Sequence, residues 1–423
     1  MEQYQSYKDS GTEWLGMIPS HWEVNRIASY FTERKTKVSD KDFAPLSVTK
    51  MGIRPQLENV AKTDDGDNRK LVKTNDFVIN SRSDRRGSSG VSPLDGSVSL
   101  INIVLEPRPG INPGYCNYLL KSYAFIEEFY RNGHGIVADL WTTRYDEMKT
   151  IKICIPPYHE QERISSYLDA VTARIDEVIA QQQRMIDLLN ERKKIIISKT
   201  VTHGLYSDCD MKDSGFSWIG PINRKWNLYK LKYLLSEHLM YGANESAESE
   251  NESYPRYIRI TDIDEDGYLK PDTFVSLSPA KAAPYLLKKG DVLFARSGAT
   301  AGKSFLFNED IQACFAGYLI KASLGDRLLP EYLSYYTSSS IYDNWKNCIF
   351  IQATIPNIGA EKYGMLQIPL PSVDEQRMII GYLDKEVKKI MTAIGDCKRQ
   401  ISLLQERKQI LINEVVIGKV QVV

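Results

Sequence analysis

Residues 155–202 run from IPPYHEQERISSYLDAV to LLNERKKIIISKTVT, and at a constant shift of 215 residues (155 to 370) they return as LPSVDEQRMIIGYLDKEV through LLQERKQILINEVVI over 370–417. A second echo opens each half. Lys8-Asp9-Ser10-Gly11 with Trp14, Gly16 and Trp22 returns as Lys212-Asp213-Ser214-Gly215 with Trp218, Gly220 and Trp226, shifted by 204 (8 to 212). Each half is one opening motif, one variable body and one long terminal segment. Such a duplication predicts a pseudo-twofold molecule, which suits a partner with twofold symmetry.

The repeated segments read as long amphipathic helices. Ile164, Leu168, Val171, Ile175, Val178, Met185, Leu189 and Ile196 follow 4-3 spacing broken by Gln182 and Arg192. Ile379, Leu383, Ile390, Ile394, Cys397, Ile401, Leu404, Leu411 and Val415 do the same in the second copy. Neither stretch contains a proline, and each follows one (Pro156-Pro157; Pro369 and Pro371). About 40 residues at ~1.5 Å each make helices of roughly 60 Å. Each seam needs a mate, and the duplication favours an antiparallel coiled coil between them over packing of each helix on its own body. The expected fold is α+β: two pseudo-twofold-related mixed bodies joined by two long helices. The expected divisions are a first body over 1–157, a helix over 158–205, a second body over 206–372 and a helix over 373–423.

Composition excludes several classes. The 42% apolar and 26% charged residues are ordinary for a globular chain, and no uninterrupted apolar run is long enough to span a membrane. A cytoplasmic location is expected. The six cysteines and five histidines are scattered, without metal-ligand spacing, and read as reduced thiols and isolated imidazoles. Formal charge is zero, 54 basic against 54 acidic residues, so any grip on nucleic acid must be local or shared with a partner.

Apparent catalytic motifs fail on inspection. Gly298-Ala299-Thr300-Ala301-Gly302-Lys303-Ser304 has three residues between its glycines where a phosphate loop needs four, and Phe305-Leu306-Phe307 reads as strand instead of helix. Ile155-Pro156-Pro157-Tyr158 resembles an amino-methyltransferase motif, but isoleucine cannot accept a hydrogen bond from the target amine. Asp262, Asp264, Glu265 and Asp266 precede Gly267 in what reads as a solvated turn. No nucleophile triad or metal cluster is evident, so no catalysis is expected of this chain.

In the bodies, Leu71–Ile79 and Leu286–Phe294 are equivalent turn-then-strand units, each followed by a polar loop: SRSDRRGSSG at 81–90 and ARSGATAGKS at 295–304. Taken together, the D-S-G-x-x-W-[LI]-G openings, these loops and the paired Glu160-Gln161 and Glu375-Gln376 runs resemble the specificity subunit of type I restriction-modification systems over the whole chain. The resemblance implies a non-catalytic subunit with two target-recognition domains, each reading one half of a split target in double-stranded DNA. It implies paired helices that set the gap and dock two modification subunits for adenine N6 methylation, with restriction/translocase subunits completing the complex. S-adenosylmethionine, ATP and Mg2+ would belong to those partners and no cofactor to this chain. A coiled coil of this length can hold two readers about one duplex turn apart, ~34–36 Å. The alternative is a scaffold whose bodies bind polypeptides, which zero net charge favours and matched arginine-bearing loops disfavour.

Base edges are read by arginine, asparagine, glutamine and hydroxyl side chains. The first body offers Arg82, Ser83, Arg85, Arg86 and Ser88, with a second loop carrying His134, Thr142 and Arg144 beside Trp141. The second body offers Arg296, Ser297, Thr300 and Lys303, with Arg256 and Arg259 on a neighbouring strand and Gln352, Thr354 and Asn357 on the second loop. Each could instead be a solvated loop residue or a contact to phosphate alone.

Overall fold

The computed structural model describes residues 2–56, 66–135, 141–206, 208–246, 249–264, 267–350 and 356–422. Two compact units divide the chain: residues 1–183 with 398–423, and residues 184–397. Both boundaries fall inside long helices, Tyr158–His203 and Val373–Val416, of 46 and 44 residues. Helix and strand are mixed in each unit.

In the first unit the central sheet runs Ser89–Val91, Phe77–Asn80, Asn102–Pro107, Phe31–Glu33, all antiparallel. A three-stranded sheet of Gly96–Val98, Arg69–Val72 and Lys37–Val38 and a hairpin of Leu46–Thr49 with Gly52–Pro55 complete the strand-rich part. In the second unit the sheet runs Met240–Tyr241, Leu319–Ala322, Val292–Ala295, Ser304–Leu306. The strands Phe77–Asn80 and Val292–Ala295 are buried along their whole length, which is why both read as continuous apolar runs. Two helices follow each sheet, Pro113–Lys121 with Tyr123–Arg131 and Pro330–Thr337 with Ser340–Phe350.

The turn before each buried strand is solved twice with different residues. Asn75 takes φ 73° and Gly290 φ 96°. Asp76 then accepts from the Lys73 amide (2.8 Å) and Asp291 from the Lys288 amide (2.7 Å). Asparagine tolerates the left-handed region, so Asn75-Asp76 does the work of Gly290-Asp291. Asn75→Val should therefore lower stability by about 1–2 kcal/mol and Asn75→Gly should be tolerated, as read from denaturant midpoints.

The duplicated opening and Glu-Gln motifs meet inside each unit. Trp22 Nε1 donates to Glu160 (3.2 Å), which also accepts from Tyr4 and contacts His21; Trp226 Nε1 donates to Glu375 (3.0 Å). Gln161 accepts from the Asn112 amide (2.8 Å) and donates to the carbonyls of Gly110 and Pro156; Gln376 accepts from the Leu329 amide (2.9 Å) and donates to Arg327 and Pro371. The glutamines thus satisfy loop backbone at the helix starts, while the glutamates hold indoles.

A buried tyrosine ties each unit to the end of a long helix. Tyr115 donates to the carbonyls of Cys154 and Val416, both at 3.0 Å; Tyr332 donates to Pro369 (3.0 Å) and Val201 (3.2 Å). The first core accordingly includes Leu411, Val415 and Val416 beside Trp22, and the second includes Ile197 and Val201 beside Trp226. The backbone of Glu2 bridges to that of Gln421 in the first unit.

The apolar seam of the second long helix follows the spacing read from the sequence: Ile379, Leu383, Ile390, Ile394 and Leu411 are buried, and Cys397, Ile401 and Leu404 half-buried. In the first long helix the expected seam slips by one residue. Val178 and Met185 are exposed, and Ile179 and Ile186 point inward. The covered line runs Ile175, Ile179, Gln182, Ile186, Leu189, Lys193, Ile196, and its two polar members hid the continuous 4-3 step. Asp176 pairs with Lys408 (2.6 Å) within the first unit, and Lys193 Nζ lies 3.2 Å from Met391 Sδ within the second.

Candidate nucleic-acid interface

Both polar loops are built on one backbone frame. Arg82 follows its buried strand and enters the 3-10 turn Ser83–Arg85; Ser297 enters the equivalent turn Gly298–Thr300. The Ser83 amide donates to Trp141 O (3.1 Å) and the Gly298 amide to Pro356 O (3.3 Å). Thr143 N donates to Ser81 O (3.0 Å) and Ile358 N to Arg296 O (2.8 Å). These bonds zip the first polar loop to the second in each unit, giving the bridges Arg82–Thr142 and Ser297–Asn357. Residues widely separated in sequence are thereby presented side by side on rigid backbone.

The first loop pair is further fixed from below. Tyr130 donates to the carbonyls of Asn80 and Arg82 (3.1 Å each), and burial pushes its phenol up to about 12. Trp141 Nε1 donates to Tyr130 O (2.8 Å), so this indole braces the loop. Arg82 is exposed and meets no carboxylate within ion-pair distance among the described residues. Arg85 is exposed with only the adjacent Asp84 at 3.7 Å. Arg86 is committed to Glu127 and lies 5.3 Å from the Tyr130 ring centre. Ser83 and Thr142 are half-buried, His134 and Arg144 are exposed, and Ser88 is buried. His134 bridges to Thr142 and its Nδ1 lies 3.5 Å from Glu147.

Beside Arg82 and Arg85 lies an open groove of about 520 Å3, walled on its other side by the Leu46–Pro55 hairpin. Lys50 at the hairpin turn, Gln56 just after it, and Arg69 and Asn102 on other strands line it too, and no sequence motif marks any of them. Arg69 is buried, donates to Ser97, and has its pKa lowered by that burial.

In the second unit Ser297 and Thr300 are half-buried, and Asn357 and Lys303 are exposed. Arg296 lies 5.1 Å from the Tyr241 ring centre. A groove of about 340 Å3 includes Lys303, Ser304, Lys194 and Lys346, the latter two paired with Asp343. Gln352 and Thr354 lie outside the described residues. Arg256 and Arg259 are not brought to this loop pair: Arg256 is buried, donates to Lys270 O (2.6 Å) and faces the Phe274 ring. Arg259 is locked to Asp262 by two hydrogen bonds (3.0 and 2.8 Å) that raise its pKa. The expected solvated turn is thus partly wrong, since Asp262 is buried and salt-bridged.

This arrangement presents hydrogen-bond donors and acceptors on a fixed frame, which suits recognition. Residues 223–396 match the family model of the type I restriction modification DNA specificity domain. The MjaVIII type I restriction enzyme specificity subunit of Methanocaldococcus jannaschii is 24% identical over 99% of this chain and 98% of its own length. The EcoKI specificity subunit of Escherichia coli K12 is 22% identical over 77% of this chain and 72% of its own. The chain is similar, over nearly its whole length, to specificity subunits of type I restriction-modification systems.

Solved structures agree in fold. A chain from work on complex assembly and conformational transition of the type I R-M system superposes with TM-score 0.69 at 17% identity, covering 95% of this chain and 99% of that one. The HsdS subunit from Thermoanaerobacter tengcongensis gives 0.50 at 18% identity, covering 95% and 98%. The matched specificity domain contains the Ser297–Asn357 loop pair. The Arg82–Thr142 pair lies outside that span and is linked to it by the internal repeat. Among the described residues no helix is long and apolar enough to cross a membrane.

Proposed function

We propose that each unit reads one half of a bipartite target in double-stranded DNA, and that the long helices set the gap between halves and dock two modification subunits. The observation that carries this reading is the duplicated loop pair: one backbone frame occurs once per unit and bears different outward side chains. Identical frames with different chemistry suit two half-sites of different sequence.

An antiparallel pairing of the long helices is supported by two contacts. Moving forward from Asp176 to Lys193 on the first helix moves back from Lys408 to Met391 on the second. A repeated partner surface is supported by exposed apolar residues at equivalent helix positions, Leu188 with Leu403 and Ile195 with Ile410. Those partners would carry S-adenosylmethionine and methylate adenine N6, while restriction/translocase subunits would use ATP and Mg2+. The alternative division into bodies 1–157 and 206–372 with helices 158–205 and 373–423 describes the same working parts.

The test is to co-express the chain with its modification subunit in a host without N6-methyladenine and map methylated adenines genome-wide. Two short defined halves around a fixed unspecified gap are expected. A stably assembled, methylation-competent complex that modifies an uninterrupted motif, or adenines without sequence context, sinks the reading and leaves the scaffold alternative.

A further inference from the structure

The equivalence of the two loop frames assigns a partner to each outward position. Four hydrogen bonds align them: Arg86 N to Ser83 O with Ala301 N to Gly298 O, and Ser88 N to Arg85 O with Lys303 N to Thr300 O, at 2.9–3.1 Å. Arg82 therefore stands where the second unit has Ser297, Arg85 where it has Thr300, and Thr142 where it has Asn357. The backbone is held constant and the chemistry changes from two guanidinium groups and one hydroxyl to two hydroxyls and one carboxamide.

We propose that the first unit reads at least one G·C base pair through Arg82 and Arg85, and that the second reads an A·T base pair through Asn357. This rests on the reading that the loop pairs face DNA. Arginine offers two parallel donors to guanine O6 and N7, and the carboxamide of asparagine matches the N6 donor and N7 acceptor of adenine. Three other arginines of the first unit are already committed: Arg86 to Glu127, Arg69 to Ser97, Arg34 to Asp76. Arg82 and Arg85 line the open groove, and among the described residues no carboxylate pairs with them except the exposed Asp84 beside Arg85. The Arg82 backbone is fixed from both sides, its amide donating to Asn80 Oδ1 (3.0 Å) and its carbonyl accepting from Tyr130. A fork on an anchored base selects one position, whereas a loosely held one would contact phosphate at many.

The test uses the assembled complex with its modification subunits. Once the methylated motif is known, binding is competed with duplexes carrying every single base-pair substitution, for the wild type, R82A, R85A and N357A. The wild type should discriminate against loss of a G·C pair in one half on the order of 10- to 100-fold. R82A or R85A should abolish that discrimination at one base pair, leaving the gap and the other half unchanged. N357A should relax an A·T pair in the opposite half. Uniform weakening at every base pair, which marks phosphate contacts, overturns the proposal, as does a half affected by R82A that contains no G·C pair. If the wild-type complex has no split motif, the DNA-reading proposal itself falls, and this one with it.

Discussion

Tyr332→Ala should destabilise the second unit by about 3–5 kcal/mol, seen as a large fall in its denaturant midpoint. The ring is fully buried, and its hydroxyl holds two carbonyls at once, Pro369 O in the strand before one long helix and Val201 O in the last turn of the other. Alanine leaves a cavity and two carbonyls without that donor. Tyr332→Phe keeps the ring and isolates the hydroxyl term, so about 1–3 kcal/mol is expected from it. Tyr115 occupies the same place in the first unit, bonded to Cys154 O and Val416 O. Because the two tyrosines share no partner, losses in the double variant should add to within ~0.5 kcal/mol. A Tyr332→Ala chain as stable as the wild type would mean that the helix end is held by its apolar contacts alone.

A change of helix length should move the half-sites apart without altering either. Seven residues inserted after Gln183 and after Gln400, positions opposite one another in the proposed antiparallel pairing, preserve the 4-3 seam. They add ~10 Å of helix, room for a gap longer by up to about three base pairs at ~3.4 Å each. Methylome mapping of the assembled variant should return the same two halves around a longer gap. An unchanged gap would show that the helices do not measure it. A four-residue insertion breaks the seam and should cost assembly instead.

The parts of the fold legible in sequence are those the repeat spells twice. Glu160-Gln161 and Glu375-Gln376 advertised themselves by recurrence, and the structure gives the reason: each pair plugs an indole and a loop backbone. The tyrosines that complete those joints were not legible. Tyr115 and Tyr332 lie in bodies whose sequences have diverged, and their partners are carbonyls, which carry no side-chain signature. Asn75 and Gly290 differ in residue type, yet both supply the same left-handed turn. The seam of the first helix was misplaced because Gln182 and Lys193 occupy covered positions, while Val178 and Met185 offer apolar residues one step off. Within the candidate site the loops were visible as arginine- and glycine-rich runs. That Arg82 meets Thr142 and Ser297 meets Asn357 was not, since cross-loop pairing leaves no periodicity to count. Arg256 and Arg259 stand out in sequence by charge, and their partners, Lys270 O and Asp262, are not marked by any motif.

The division of the chain also dictates an order of assembly during synthesis. The core around Trp22 contains Leu411, Val415 and Val416, and Gly418 adopts its turn against that indole and Pro19. Residues 184–397 hold everything the second unit packs, so on the ribosome that unit can close while the first, begun earlier, still waits for residues 398–423. A premature stop near residue 400 would thus leave its damage at the opposite end of the sequence, opening the pocket of Trp22 while sparing that of Trp226.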